Sequence, residues 1–410
     1  MLDKLKKIYH LQGYQLPLMI AFLLPFGINY AIFILAWALC FFLLGDVKKG
    51  MSQFMKNKWA YVLILFFIIH AVGYFFSGNK AGALNAIEIK LSFLAFPILI
   101  FSSQYSEVQI KKIVISFVTG CILTSVICVF RAFYNYWILN TSGFFYTEFS
   151  VFMHPSYFVM YLIFAQLIVL LFYPKWLSHL SNLNIKIGFM SIIFLVAIFL
   201  CSSKMGLITA FLLLPTTFVV LLYKNGYKKI IIGLLIGLMG AIAIAYKLFP
   251  TPFERIKMAV KVSSSSQSID KTDAESTAVR ILIWKESVKL IKQQIIFGTT
   301  PGDTDDDLVA AYQKEGLSGA LKKRLNAHNQ FLQTFIGTGI IGFLLLVLLT
   351  FGGLVYGFVT KNYLLMLFSC LIIFNFLVES MLQAQAGFIF FVFFFCLLTQ
   401  YHFHKLSKTV

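Results

Sequence analysis

The sequence predicts an all-α polytopic membrane protein with about twelve membrane-spanning helices and one large, partly helical hydrophilic loop between the ninth and tenth. Three observations lead there. The 410 residues are 60% hydrophobic and only 12% charged, about half the charged share of a soluble domain. The apolar residues fall in repeated runs about 20 residues long, enough for a helix to cross a hydrocarbon core about 30 Å thick. Lysines recur between alternate runs, which fixes an orientation.

The runs lie at 14–28, 30–45, 58–77, 87–103, 111–134, 154–173, 185–202, 205–223, 229–248, 330–357, 362–378 and 386–403. They are helices rather than barrel strands, because barrel strands alternate apolar and polar residues over about 10 positions. Pro25 and Gly27 break the first pair, and Glu88 and Lys90 open the fourth run. His154-Pro155 starts the sixth, with proline in the tolerated first turn.

With the N-terminus inside, the inner segments carry Lys4, Lys6 and Lys7; Lys48, Lys49, Lys56 and Lys58; Lys111 and Lys112; Lys175 and Lys186; Lys224, Lys228 and Lys229; Lys361; and Lys405 and Lys408. Short outer segments hold little beyond Lys80 and Lys90. This is the positive-inside pattern, and an even number of spans returns the C-terminus inside. The net charge of +18 therefore sets topology rather than recruiting nucleic acid. The six cysteines lie inside apolar runs without CxxC spacing and read as small core residues rather than disulfides or metal ligands. The first run lacks a small-residue cleavage site and is expected to be retained.

Residues 249–329 form the external loop; loops this long translocate regardless of charge. Val262–Asp270 is serine-rich and reads as a linker. Ala278–Phe297 reads as an amphipathic helix with Ile281, Trp284, Val288, Ile291 and Ile295 on one face, Lys285, Lys289 and Lys292 around the other, and Gly298 as its stop. Such a helix can lie in the membrane interface. Asp303, Asp305, Asp306 and Asp307 lack cation-loop spacing and read as a solvated acidic turn.

Polar groups gather at the outer ends of the spans. Asn326 reads as an N-cap placing His328 in a first helical turn, where the helix dipole favours a neutral imidazole. Arg280 opens a helix and can grip an oxyanion with its fork. Lys204 and Arg131 sit at outer span ends, as do Lys90 and Glu379. Taken singly, each is as simply read as a capped, snorkelling or ordinary loop residue.

Together they resemble the O-antigen ligase and O-antigen polymerase superfamily of bacterial membrane glycosyltransferases, over about residues 190–390. Ser202-Ser203-Lys204-Met205-Gly206 is similar to that family's Ser-Arg-x-Gly turn, with lysine where arginine is usual. Arg280-x-x-x-Trp284, followed by the Phe297–Gly302 turn, resembles its loop motif. His328-Asn329-x-x-Leu332 resembles its His-Asn-x-x-Leu motif, and Glu379 its recurrent acidic position. The resemblance implies a transferase in the bacterial inner membrane, with both termini cytoplasmic and the loop periplasmic. It implies transfer of a glycan from undecaprenyl diphosphate to a sugar hydroxyl of lipid A–core, inverting and without metal or cofactor. His328 would be the base, and Arg280 and Lys204 the diphosphate-binding cations. Glu379, Lys90, Arg131 and Asn329 would be accessory. Membrane lipids are the surrounding partner. The chain then divides into spans 1–9 (1–248), the loop (249–329), and the last three spans with a cytoplasmic tail (330–410). A polymerase extending lipid-linked glycan, or a ligase glycosylating protein, remains an alternative within the family. A lipid-linked glycan transporter or flippase is the alternative of another class; it should show two related halves and polar midplane helix breaks, and the sequence shows neither.

Overall fold

The computed structural model describes residue 9 and residues 12–103, 105–224, 240, 246–247, 271–272 and 277–400. Every regular element among them is helical. Lys58–Phe76, Lys80–Ser103, Glu107–Ile138, Leu183–Cys201 and Gln330–Val359 are long and apolar enough to cross a membrane. Ala31–Leu44 and Val47–Phe54 meet at 116° and pass the same test only as one bent pair. Gln15–Phe26, Pro155–Leu171, Lys204–Val219, Tyr363–Phe376 and Gln385–Gln400 are shorter apolar helices at positions where the sequence predicts further spans. The predicted span 229–248 lies outside the described residues except at three positions, and the 262–270 linker lies wholly outside them.

Helix starts follow a simple local rule. Asp46, Asn57, Asn79, Asn329 and Asn362 each accept a backbone N–H of the helix they open, satisfying a donor that has no partner within the helix. The fourth run begins earlier than predicted, as Lys80–Lys90 continued by Ser92–Ser103. Lys90 is therefore inside the helix, and it is 1% exposed.

The described residues fall into two compact units. In the second (25–28 and 115–264), Pro155–Leu171 is the central helix, flanked by Leu183–Cys201 and the Lys204 helix. His154 caps it and Pro155 occupies its first turn. Ser202 adopts a left-handed conformation that ends the Leu183 helix. The Ser203 hydroxyl then accepts the Gly206 N–H at 3.3 Å. A Cβ on Gly206 would lie 2.4 Å from Val159 Cγ1, so only glycine allows this approach.

In the first unit (1–24, 29–114 and 265–410), Ser92–Ser103 packs against Val47–Phe54, Lys58–Phe76 and Gln385–Gln400. The loop contributes a small core of its own: Val279, Ile283, Leu308, Tyr312, Leu317, Ala320 and Ala327, closed by Ile336. It is built from Thr277–Gln293 and two helices the sequence did not reveal, Thr304–Glu315 and Ser318–Lys323. That core sets which face of the first helix is buried. Val279, Ile283 and Ser287 point inward, whereas Val288 and Ile295 of the predicted apolar stripe are 41% and 51% exposed. The helix also ends at Gln293, short of Gly298.

Gly298 instead makes a joint. Its φ is +71°, and a Cβ there would lie 2.4 Å from the Ile336 carbonyl oxygen. The Gln330 helix breaks at Gly339 (φ 63°), and the loop chain enters that break. Thr299 N–H donates to Ile336 O at 2.7 Å, and Ile340 N–H to Ile295 O at 2.9 Å. Pro301 rests on Gly73 and Gly302 on the Asn79–Ala83 backbone. Asp303 accepts the N–H groups of Gly78 (2.8 Å) and Asn79 (2.6 Å) and the Thr300 hydroxyl (2.7 Å). Asp306 binds Asn79 Nδ2 and Arg324. The expected solvated acidic turn is thus a lock between the loop and the end of the Lys58 helix. Its carboxylates also favour the N-terminus of Thr304–Glu315 through the helix dipole.

Candidate active site

The first unit brings His328, Glu379, Arg280 and Asn329 to one place. His328 does not sit in a helical turn as predicted. Asn329 is the N-cap, its side-chain oxygen accepting the Leu332 N–H at 3.1 Å. His328 precedes the helix with φ 45°, a left-handed conformation that an ordinary residue holds only when its surroundings dictate it.

They do so here. Asn326 Oδ1 accepts the His328 N–H at 2.9 Å. The preceding peptide is held on both sides: Ala327 N–H donates to Gln333 Oε1 (2.8 Å), and Ala327 O accepts from Trp284 Nε1 (3.0 Å). Gln333 is fixed in turn by Asp305 at 3.1 Å. Trp284 follows Arg280 by four residues, which puts both side chains on one helix face. The Arg-x-x-x-Trp spacing thereby delivers the indole to the backbone before His328 and the guanidinium to the turn facing it.

That turn, Leu377–Ala384, joins Tyr363–Phe376 to Gln385–Gln400 and includes a short 3₁₀ segment, Met381–Gln383. Asn329 Nδ2 donates to Leu377 O (2.9 Å), and Arg280 Nη1 to Val378 O (2.8 Å). Leu382 is clamped from both ends, its N–H donating to Gln330 Oε1 (2.6 Å) and its carbonyl accepting from Lys90 Nζ (2.7 Å). Lys90 also lines a small cavity of about 70 Å3 with His70, Asp305, Gln333 and Thr338.

Held this way, Glu379 presents one carboxylate oxygen to His328 Nδ1 at 3.0 Å and the other to Arg280 Nη2 at 3.5 Å. An ionised carboxylate only accepts, so Nδ1 is the nitrogen that donates, and in the neutral imidazole the lone pair is then on Nε2. The side chains are 17% (His328), 13% (Glu379) and 30% (Arg280) exposed. They are sheltered enough for their charges to matter and open enough for a ligand to touch. Arg280 has five N–H donors, and the two contacts named here leave others for an anion. Chemically, the set offers a carboxylate-oriented base beside a guanidinium.

The other predicted residues are in the second unit. Lys204 is the first residue of its helix, directly after the Ser202–Ser203 reversal. Arg131 donates through Nη1 to Glu148 O at 3.0 Å, tying down the 148 turn. Gln330, Gln333 and Asp305 were missed from sequence. Gln330 and Gln333 did leave a trace, as two glutamines spaced i, i+3 at the start of an apolar run.

Residues 189–347 match the family model described as O-antigen ligase. The match includes Lys204, Arg280, Trp284 and His328 and stops short of Glu379. No curated protein matches the chain.

Proposed function

Proceeding from the match of residues 189–347 to the O-antigen ligase family model, we propose that this chain is the ligase itself. It would move a finished glycan from undecaprenyl diphosphate to a sugar hydroxyl of lipid A–core, at the periplasmic face of the inner membrane. The single observation that carries the reading is the His328–Glu379–Arg280 constellation, with Glu379 bridging the other two.

In this mechanism His328 Nε2 removes the proton from the acceptor hydroxyl. The oxygen attacks the anomeric carbon opposite the diphosphate; the carbon–oxygen bond to the carrier breaks and the configuration inverts. Glu379 fixes the Nδ1–H tautomer and stabilises the imidazolium as it forms, the role a carboxylate has beside histidine in other base-catalysed transfers. Arg280 meets the charge growing on the leaving diphosphate. The resemblance also gives Lys204 a diphosphate-binding role, as a point charge where the family's arginine would give a planar fork. The step needs no metal or cofactor.

The sequence predicts one dominant external loop, residues 249–329, and that expectation favours a ligase over a polymerase. Analysis of lipid extracts tests the choice. A ligase deletion leaves long glycan on the carrier; accumulation of single repeats instead identifies a polymerase. A well-expressed His328→Ala protein should lose about 10²–10⁴-fold in transfer, and full transfer by that variant overturns the base assignment. Transport of the lipid-linked glycan in liposomes without any transfer identifies the transporter alternative.

A further inference from the structure

A second site lies at the other end of the Lys58–Phe76 helix. That helix has 19 residues, a rise of about 28 Å. Its Ser77 end holds the Thr300–Asp303 joint, and its Lys58 end borders a cavity of about 740 Å3. Lys56, Lys58, Trp59, Tyr105, Tyr356 and Gln400 line the cavity, and Val62, Phe101 and Leu348 give it an apolar wall. The positive-inside pattern puts this end at the inner leaflet.

Two polar groups at the cavity are incomplete. The Tyr105 side chain is buried at 8% exposure. Its hydroxyl is within electrostatic reach of the Ser103 and Trp37 side chains but has no hydrogen bond of good geometry among the described residues. Gln400 Nε2 donates to Ile100 O at 2.9 Å, while its Oε1 is buried with no partner among them. A buried polar group without a partner is costly, so such groups call for a ligand that supplies an acceptor to the phenol and a donor to the amide oxygen. Two lysines at the mouth add a requirement for negative charge. Trp59 stands edge-on to Tyr356 and Phe395, with ring centroids 5.7 and 5.1 Å away, an aromatic arrangement suited to the headgroup level of a bilayer. Leu348 at the wall is 45% exposed, and Leu65 and Val355 on the same helices are 45% and 60% exposed, a surface for acyl chains.

We propose that this cavity binds the headgroup of an anionic phospholipid with free hydroxyls, of the phosphatidylglycerol type. The phosphate accepts from the lysines and from Tyr105, a glycerol hydroxyl donates to Gln400, and the chains run down the exposed leucine and valine faces. Basic pockets between spans on the cytoplasmic side suit such headgroups. The site stands independently of the glycan-transfer reading.

The test uses the full-length protein in vesicles of phosphatidylcholine with phosphatidylglycerol as the minor lipid, re-extracted gently and weighed with its retained lipids by native mass spectrometry. The wild type retains phosphatidylglycerol above its bulk share. Lys56→Gln and Lys58→Gln each lower that preference about fivefold, whereas Lys56→Arg and Lys58→Arg keep it. Tyr105→Phe, which keeps the ring and the packing, lowers it without changing the total lipid retained. Retention at the bulk ratio by the wild type, an unchanged preference in the double Gln variant, or displacement by inorganic phosphate alone overturns the proposal.

Discussion

Replacing Glu379 by glutamine is the sharpest probe of the bridging geometry. The amide still fits and still accepts a hydrogen bond from His328 Nδ1, now 3.0 Å from the carboxylate. What disappears is the negative charge. A neutral hydrogen bond contributes about 0.5–1.5 kcal/mol and one to a charged partner about 1.5–3 kcal/mol. The difference, about 1–1.5 kcal/mol, appears only when the imidazole is protonated in the transition state. It lowers turnover about tenfold. The Arg280 contact adds little, because at 3.5 Å with the guanidinium 30% exposed solvent screens the pair. Glu379→Ala removes the orienting bond as well and should approach the His328→Ala level. The assay is transfer of labelled lipid-linked glycan to purified acceptor in proteoliposomes, with expression and melting temperature as controls. A double-mutant cycle decides the matter. If Glu379 acts through His328, then Glu379→Gln in a His328→Ala background costs nothing further. Independent losses that multiply, or full turnover by a folded Glu379→Gln protein, refute the bridge.

Three further outcomes follow from the same contacts. Gly298→Ala, at φ +71° and with its Cβ aimed at the Ile336 carbonyl, should destabilise by about 2–4 kcal/mol, read as a lowered melting temperature in detergent; an unchanged melting temperature would mean the joint is not closed as described. Lys90→Met leaves the Leu382 carbonyl without its buried donor, at about 1–3 kcal/mol, and should speed hydrogen exchange of the 380–384 amides more than those of the Gln330 helix. Burial alone would raise the Asp303 carboxyl, but the Asn79 N–H, the Thr300 hydroxyl, the Gly78 N–H and the Lys80 charge outweigh it and hold the group below the usual carboxylate range. A depressed carboxyl adds stability that is whole above the ordinary Asp value and is lost as pH falls through the folded one. Stability should therefore start to fall as pH drops into the ordinary carboxylate range and go on falling until the folded value is passed, and Asp303→Asn should flatten the acid limb of the stability profile.

How far the sequence could be read follows from what each pattern encodes. Apolar runs report burial in lipid directly, and most of the predicted runs within the described residues coincide with a helix to within a few residues. Motifs spaced along one helix were legible as well, since the four-residue step from Arg280 to Trp284 fixes a shared face. The loop was harder. Thr304–Glu315 is rich in aspartate, and its burial depends on Leu308 and Tyr312 alone meeting Val279 and Ile283; two apolar anchors in a charged stretch give no clear period. For the same reason the buried face of the Thr277 helix could not be chosen from its own pattern, which is apolar on more than one side. Contacts made by backbone leave no trace at all, and neither Lys90 at the Leu382 carbonyl nor Gly298 in the Gly339 break has a local signature.

The site also explains why so many of its residues are not themselves reactive. A turn packed between two apolar helices has backbone groups that water does not reliably reach, and each must find a partner. Leu377, Val378 and Leu382 find theirs in Asn329, Arg280, Lys90 and Gln330. The side chains that satisfy the turn are therefore those that aim Glu379, and those that satisfy Ala327 are the ones that aim His328. Stability and alignment are one set of contacts at these positions, so substitutions there should lower both together. The His328 side chain is different: among the described residues it hydrogen-bonds to Glu379 and to no backbone group. Loss of activity without loss of stability should be the mark of that residue, and it would separate the proposed base from the frame that holds it.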